Sequence, residues 1–78
     1  MPLAVEAQRE YKQTDIETQK MRFRARARLG KVVLEERRAK GYTQDQAAEE
    51  LGVVTEQVRR YERSYRDWLK EYPNEPLG

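Results

Sequence analysis

Residues 43–63, TQDQAAEELGVVTEQVRRYER, contain the signals for two consecutive helices. Thr43 and Gln46 have the spacing of a capping box, in which each side chain accepts a hydrogen bond from a backbone N–H at the start of a helix. Gly52 favours the left-handed backbone conformation that ends a helix. A further helix is predicted to begin near Thr55. The stretch therefore predicts two helices joined by a tight turn.

The apolar and the charged side chains of these two helices lie on opposite faces. With about 100° of rotation per residue, the positions expected to face the core are Ala47, Ala48, Leu51, Val58 and Tyr61. The opposite face of the second helix carries Glu56, Arg59, Arg60 and Arg63. This arrangement is typical of a helix-turn-helix, whose second helix enters a DNA groove. We expect the three arginines to contact DNA, whereas Glu56 either accepts from a cytosine amino group or supports the helix by pairing with Arg60.

The composition excludes several classes of function. The 78 residues include no cysteine, no histidine and one serine, Ser64. The chain therefore has no disulfide, no imidazole for acid-base catalysis or for activating the serine, and few of the usual zinc or iron ligands. We expect a protein that is not an enzyme and that needs no cofactor or metal ion.

Positive charge is concentrated in the first part of the chain. The formal net charge is only +2 at pH 7, but residues 1–28 carry seven basic and four acidic side chains. Such clustering indicates either a polyanionic partner, which we expect to be double-stranded DNA, or a solubilising surface, and the charge distribution alone leaves both open. The longest apolar runs are far shorter than the ~20 residues of a membrane span. We therefore expect a cytoplasmic, nucleoid-associated protein with no membrane partner.

The positions of the prolines indicate an all-α fold. They are residues 2, 73 and 76, so no proline interrupts residues 3–72. Thr14 and Glu17 have the spacing of a second capping box, which predicts a helix over residues 15–40 with the next residue, a glycine, at its end. Gly30 either lies within this helix or divides it.

We expect one small helical domain over residues 15–72, with a long basic N-terminal helix, the central helix-turn-helix and an aromatic C-terminal helix. The C-terminal part is either one helix from residue 55 to 72 or two, with Ser64 capping the second. Residues 1–14 are expected to be frayed, unless Pro2 opens a short helix, and residues 73–78 to form a tail.

The N-terminal helix contains a basic run, Arg22, Arg24, Arg26 and Arg28. Alanine and arginine both favour helix, so the run is predicted to be helical. Because arginine neutralises phosphate and releases counterions, the run could contact DNA. The alternative, equally open from the sequence, is a solvated face paired with neighbouring acidic side chains.

Residues on both sides of the turn extend the helix-turn-helix pattern: LGK at 29–31, Arg37, Gly41, YTQDQAAEELGV at 42–53, Val58, and YER at 61–63. Together they resemble the lambda-repressor and Cro-like (XRE-type) helix-turn-helix family. The resemblance implies a sequence-specific DNA-binding transcriptional regulator, such as a repressor of bacterial or phage type. It also implies that the recognition helix covers about residues 55–63.

The resemblance assigns roles to particular positions. Gln44, at the start of the first motif helix, would bind a DNA phosphate. The positions implied to contact base edges are Thr55, Glu56 and Arg60. Arg37 and Glu62 would form a structural ion pair.

The chain departs from the family pattern at two positions inside the motif region. Val54 stands where the family usually has a serine or threonine cap, so we expect the hydroxyl of Thr55 to be occupied by backbone N–H groups. Glu36 stands at a position that is normally apolar. We therefore expect the helix that contains Glu36 to be rotated, with the preceding segment packed against it.

A third departure concerns the C-terminal stretch Tyr65, Trp68, Leu69 and Tyr72, which follows where the family continues with further helices. These side chains are candidates for a homodimer interface, since tryptophan and tyrosine are enriched at interface centres. The competing interpretation is that Trp68 and Leu69 cover Val32, Val33 and Leu34. Alternative functions are a helical protein-interaction module that uses the aromatic stripe 61–72, and a DNA-binding antitoxin or recombination-directionality factor.

Overall fold

The computed structural model describes residues 1–77 and has four helices there: α1 (Pro2–Gln13), α2 (Gln19–Lys40), α3 (Gln44–Leu51) and α4 (Thr55–Glu71). No strand occurs in that range, which confirms the all-α prediction. Gly30 lies inside α2 and Ser64 inside α4, so each of these helices is continuous. None of the four helices is long and apolar enough to cross a membrane.

The predicted bounds of α3 and the predicted start of α4 are confirmed. Thr43 Oγ1 accepts from the Gln46 backbone N–H at 3.1 Å, and Gln46 Oε1 accepts from the Thr43 N–H at 2.8 Å, which completes the capping box. Gly41 and Gly52 end α2 and α3 in the left-handed conformation, each with φ of 68°. A side chain would be strained at either glycine, so the two turns depend on glycine.

The predicted start of α2 is wrong. Thr14 does not open a helix; it ends α1, and its hydroxyl donates to the carbonyl of Glu10 at 2.6 Å. The N-cap of α2 is Thr18, whose Oγ1 accepts from the Met21 N–H at 3.3 Å. Because the last turn of α1 uses Thr14, the spacing from Thr14 to Glu17 has no capping role.

The N-terminal segment is not frayed: it forms α1, which Pro2 opens as in the alternative prediction, and α1 packs on α2 and α3. Ala4 is fully buried, and Gln8 is buried between the helices. The Gln8 side chain donates to the carbonyl of Leu51 at 3.0 Å and accepts from the Tyr61 hydroxyl at 3.0 Å. These long-range hydrogen bonds hold α1 against the motif and could not be inferred from local sequence.

Glu36 anchors the first turn of α1. Its carboxylate accepts from the backbone N–H groups of Ala4 at 2.8 Å and Leu3 at 3.2 Å. The N-cap residue of α1, Met1, makes no side-chain capping bond, so a carboxylate from another helix satisfies the free N–H groups. This contact explains an acid at a position where the resemblance implies an apolar side chain, and α1 packs on the helix that contains Glu36.

α2 and α4 run antiparallel and approach closely at Gly30. A Cβ atom built on Gly30 would lie 1.9 Å from the carbonyl oxygen of Tyr61. Only a residue without a side chain therefore allows this distance between the two backbones.

The buried residues form two clusters. The helix-turn-helix cluster consists of Met1, Ala4, Leu29, Val33, Ala47, Ala48, Leu51, Val58 and Tyr61. It contains all five side chains that the pattern of the motif predicted to face the core. The distal cluster consists of Ala27, Trp68 and Leu77, with Phe23, Tyr65 and Tyr72 packed around them.

Trp68 is fully buried in the distal cluster, so its assignment to an interface is wrong. Its ring meets Phe23 edge to face at a centroid distance of 5.3 Å, and its Nε1 donates to the carbonyl of Glu75 at 3.1 Å. The expected tail therefore folds back, with Leu77 buried against the tryptophan. The competing interpretation also needs correction, because Trp68 covers Ala27 rather than residues 32–34, and Leu69 is 47% exposed.

Candidate nucleic-acid interface

The outward face of α4 carries a row of four exposed side chains, Glu56, Arg59, Arg60 and Arg63. Val58 and Tyr61 bury the opposite face, so the row is presented as the helical period predicts. Glu56 lies 3.5 Å from Arg59 and 3.8 Å from Arg60, within ion-pair distance of both. In the unbound protein Glu56 therefore supports the helix through local pairs, which are weak because all three side chains are about half exposed or more.

Thr55 is held by α3 rather than by its own helix. Its hydroxyl donates to Asp45 Oδ1 at 2.6 Å, and it does not accept the backbone N–H groups expected from the sequence. Asp45 lies in the first turn of α3, where the turn between the helices brings it opposite the start of α4. The contact links the first turns of the two motif helices.

Gln44, at the first position of α3, is oriented by two hydrogen bonds. Its amide Nε2 donates to Glu62 at 3.2 Å, and its Oε1 accepts from Arg59 Nε at 3.3 Å. An amide nitrogen carries two N–H groups, so one remains for a further acceptor. The side chain is half-buried and lies beside the outward row on the α3 side of α4.

Arg37 and Glu62 form a two-pronged ion pair between α2 and α4. Arg37 Nε and Nη2 donate to the two carboxylate oxygens at 2.8 and 3.0 Å, and Nη1 donates to the Tyr42 carbonyl at 3.1 Å. The hydrogen bonds that Arg37 donates to Glu62 raise the pKa of Arg37 above its ordinary value, against the opposing effect of burial. Glu62 is the more buried partner, with 3% of its side chain exposed against 17% for Arg37.

The ion pair also connects to the exposed surface. Glu62 accepts from Arg37 and Gln44, and Gln44 accepts from Arg59, so one hydrogen-bonded chain joins the interior to the outward row. The resemblance implies the Arg37–Glu62 pair, but the sequence gives no sign that Gln44 and Arg59 are connected to it.

The basic run of α2 does not form one continuous surface. Arg22 Nε donates to the Ile16 carbonyl at 2.6 Å, and Arg24 Nη2 donates to the Pro76 carbonyl at 3.3 Å. Arg26 Nε donates to Ser64 Oγ of α4 at 2.8 Å, and Arg28 is exposed. Of the four, Arg26 is therefore the arginine that contacts α4.

The C-terminal candidates for an interface differ in accessibility. Tyr65 and Tyr72 are half-buried, Leu69 is exposed and Trp68 is buried. Tyr72 stacks against the tryptophan ring with centroids 4.4 Å apart. Most of the stripe over residues 61–72 thus belongs to the interior of the chain.

Comparison with known proteins finds a partial similarity. A segment of 39 residues is 49% identical to the HTH-type transcriptional regulator ImmR of Bacillus subtilis (strain 168). The segment is 50% of this chain and 31% of that regulator, so the chain spans about a third of its relative's length. No family model matches the chain, and no solved structure matches it significantly. The similarity supports the helix-turn-helix resemblance over half of the chain.

Proposed function

We propose that the protein is a sequence-specific DNA-binding transcriptional regulator that inserts α4 into the major groove. The observation that carries this proposal is the outward row of α4, which presents three arginines at the second helix of a capped helix-turn-helix. The partial similarity to a transcriptional regulator supports the same function. The major groove admits a helix, and arginine makes bidentate contacts to guanine there.

In this proposal the outward row reads bases and Gln44 positions the motif on a phosphate. Arg60, 65% exposed and one turn beyond Glu56, is the principal base-reading side chain. Arg59, Arg63 and Glu56 contribute at neighbouring positions. Because the Thr55 hydroxyl donates its hydrogen to Asp45, it can only accept a hydrogen bond from a base while that contact lasts, so its contribution is the smallest.

We further propose that two copies of the protein occupy one operator. A single recognition helix covers few base pairs, and helix-turn-helix proteins commonly bind two half-sites about one helical turn apart. Leu69, with the accessible edges of Tyr65 and Tyr72, is the remaining candidate contact between copies. A DNA-binding antitoxin or recombination-directionality factor would use the same DNA contacts. The protein-interaction alternative is less favoured, because Tyr61 and Trp68 are buried.

The proposal is tested by selecting bound sequences from a pool of random duplexes. We expect an enriched motif, and its half-site spacing reports whether two copies bind. Affinity for a selected duplex should fall steeply as salt increases, because phosphate contacts release counterions. Recovery of no motif, together with no salt-dependent binding, would reject the proposal in favour of a protein partner.

Arg60→Ala tests base reading on the selected duplex. We expect a loss of about 1 to 3 kcal/mol and a relaxed preference at one base pair. Arg9→Ala removes the same charge from an exposed position on α1 and is the matched control. Gln44→Ala should instead weaken binding to selected and random duplexes alike. If Arg60→Ala lost the same binding free energy on all sequences, Arg60 would contact the DNA backbone and not a base.

A further inference from the structure

A basic cleft lies beside α4, on the side facing α1 and α2. It has a volume of about 430 Å³ and is lined by Tyr11, Arg26, Gln57, Arg60, Arg63 and Ser64. Three of the six lining residues are arginines and none is acidic. The cleft therefore brings together three positive charges with no carboxylate in its lining, an arrangement suited to an anion.

Arg26 is held in the cleft by a defined hydrogen bond. Its Nε donates to Ser64 Oγ at 2.8 Å, and Ser64 Oγ donates to the carbonyl of Arg60 at 2.9 Å. Within residues 1–77, the two terminal nitrogens of Arg26 form no hydrogen bond or ion pair. The guanidinium is thus oriented through Nε and lies over the Phe23 ring, 5.9 Å from its centroid, while the N–H groups of its two terminal nitrogens stay available to a phosphate.

The cleft and Gln44 lie on opposite sides of the outward row. Arg59 contacts Gln44 on the α3 side of α4, whereas Ser64 contacts Arg26 on the α2 side. A helix in the major groove, which is about 12 Å wide, has one DNA backbone on each side. A phosphate contact from Gln44 on one side leaves the other backbone next to the cleft.

We propose that Arg26, with Arg63 beside it, binds a backbone phosphate of the DNA strand opposite the one contacted by Gln44. This inference rests on the proposed function and adds a contact outside the motif, since Arg26 precedes the region of resemblance at residues 29–63. It also separates the members of the basic run: Arg26 binds DNA, whereas Arg22 donates to a carbonyl in the connection between α1 and α2, and Arg24 donates to a carbonyl near the C-terminus.

The first test is the salt dependence of binding to a mixed-sequence duplex of about 20 base pairs. Log affinity falls linearly with log salt concentration, and each phosphate contact makes this negative slope steeper by about 0.9. We expect Arg26→Ala to make the slope shallower, with a magnitude that is smaller by about 1. Arg9→Ala is the matched control, because Arg9 is an exposed arginine of α1 that lies outside the basic run. It should leave the slope unchanged.

Two further variants guard against a loss of folding. Arg26→Gln removes the charge but keeps a side chain able to donate to Ser64, and it should make the slope shallower as Arg26→Ala does. Ser64→Ala keeps the charge but frees the guanidinium, and it should weaken binding less than either arginine variant. Thermal unfolding followed by circular dichroism shows whether each variant is folded.

The second test replaces single phosphates of a selected duplex by uncharged methylphosphonates. One position in each half-site, on the strand opposite the Gln44 contact, should be sensitive to the replacement. There it should weaken binding by the wild-type protein but cause no further loss of binding by Arg26→Gln. If the losses of affinity from the methylphosphonate and from Arg26→Gln add at every position, the inference is overturned but the proposed function is not. An unchanged salt slope in both Arg26 variants would have the same meaning. Absence of any wild-type binding would overturn the proposed function, and the inference with it.

Discussion

The two clusters of buried residues are built from different side chains. The helix-turn-helix cluster consists largely of small and aliphatic side chains, and alanines at positions 47 and 48 allow α3 to lie close to its neighbours. The distal cluster is aromatic, with Trp68 at its centre and Phe23 and Tyr72 around it. The part of the first cluster within residues 47–61 is specified by caps and spacing over a short stretch of sequence, whereas Met1, Ala4, Leu29 and Val33 join it from α1 and α2. The second depends on residues that are about 50 positions apart along the chain.

The two clusters share the same two long helices. α2 and α4 pass through both, and Gly30 lies at the close approach between them. The distal cluster therefore holds the C-terminal half of α4 in place, and the N-terminal half of α4 carries the side chains that we propose to read DNA. In a small domain with one pair of shared helices, we expect the clusters to unfold together.

Trp68→Ala should have the largest effect on stability. Replacing a buried tryptophan by alanine typically costs about 3 to 5 kcal/mol, because it removes apolar contacts and leaves a cavity. The free energy of unfolding is measured by urea titration, with helix content as the signal. Leu69→Ala, at an exposed neighbouring position, is the matched control and should cost less than about 0.5 kcal/mol.

The urea transition of the variant shows whether the two clusters unfold together. One cooperative transition at lower urea means that the distal cluster supports the whole domain. A folded variant with wild-type stability would contradict the buried position of Trp68. Two separate transitions would show that the helix-turn-helix cluster is stable alone.

Breaking the Arg37–Glu62 pair should have the next largest effect, and the two single variants should differ. Arg37→Ala leaves a carboxylate that is 3% exposed without its counter-charge, so we expect a cost of about 3 kcal/mol. Glu62→Ala leaves an arginine that is 17% exposed and still bonded to the Tyr42 carbonyl, so it should cost about 1 to 2 kcal/mol. Equal melting temperatures for both variants and the wild type would show that the pair contributes nothing.

Local signals in the sequence were sufficient for the motif and insufficient for its surroundings. Caps and glycines determine a helix end within a few residues, so the boundaries of α3 and the start of α4 could be predicted. The anchoring of α1 by Glu36, and the burial of Leu77 against Trp68, depend on contacts between distant segments. The same limit applies to the candidate site: periodicity predicts which α4 side chains face outward, but not that Asp45 holds Thr55 or that Arg26 meets Ser64.

Gly30→Ala tests the close approach that joins the two clusters. Alanine favours helix over glycine by about 1 kcal/mol, so the substitution would stabilise an isolated helix. Here its Cβ would meet the carbonyl oxygen of Tyr61, and backbone atoms must move apart to admit it. We expect a net loss of about 2 kcal/mol in the free energy of unfolding. A gain in melting temperature would contradict the close approach of α2 and α4 at Gly30.

Glu36→Ala tests the attachment of α1 to the helix-turn-helix cluster. The variant loses the acceptor for the first N–H groups of α1, and loss of a helix cap costs about 1 to 2 kcal/mol. Glu36→Gln keeps one acceptor oxygen without the charge and should lie between alanine and the wild type. Hydrogen exchange should show faster exchange in α1 than in α3 for the alanine variant. Equal protection of α1 in all three proteins would contradict the capping role.

The smallest effect is expected from Tyr61→Phe, and it depends on pH. Tyr61 belongs to the helix-turn-helix cluster and is 3% exposed, and burial, followed by the nearby Tyr11, raises the pKa of its hydroxyl above the ordinary value. Near neutral pH the variant loses only the hydrogen bond to Gln8, at a cost of about 1 kcal/mol.

At alkaline pH the difference should shrink and can change sign. A raised pKa in the folded state means that the unfolded chain ionises first, at about pH 10. The stabilisation by the protonated hydroxyl is complete below pH 10 and is lost as the pH rises through the pKa of the folded state. The advantage of the wild type over Tyr61→Phe should therefore fall by up to about 1.4 kcal/mol per pH unit above pH 10. Urea titrations of both proteins between pH 7 and 11 measure it, and parallel curves throughout would show that Tyr61 ionises equally easily in both states.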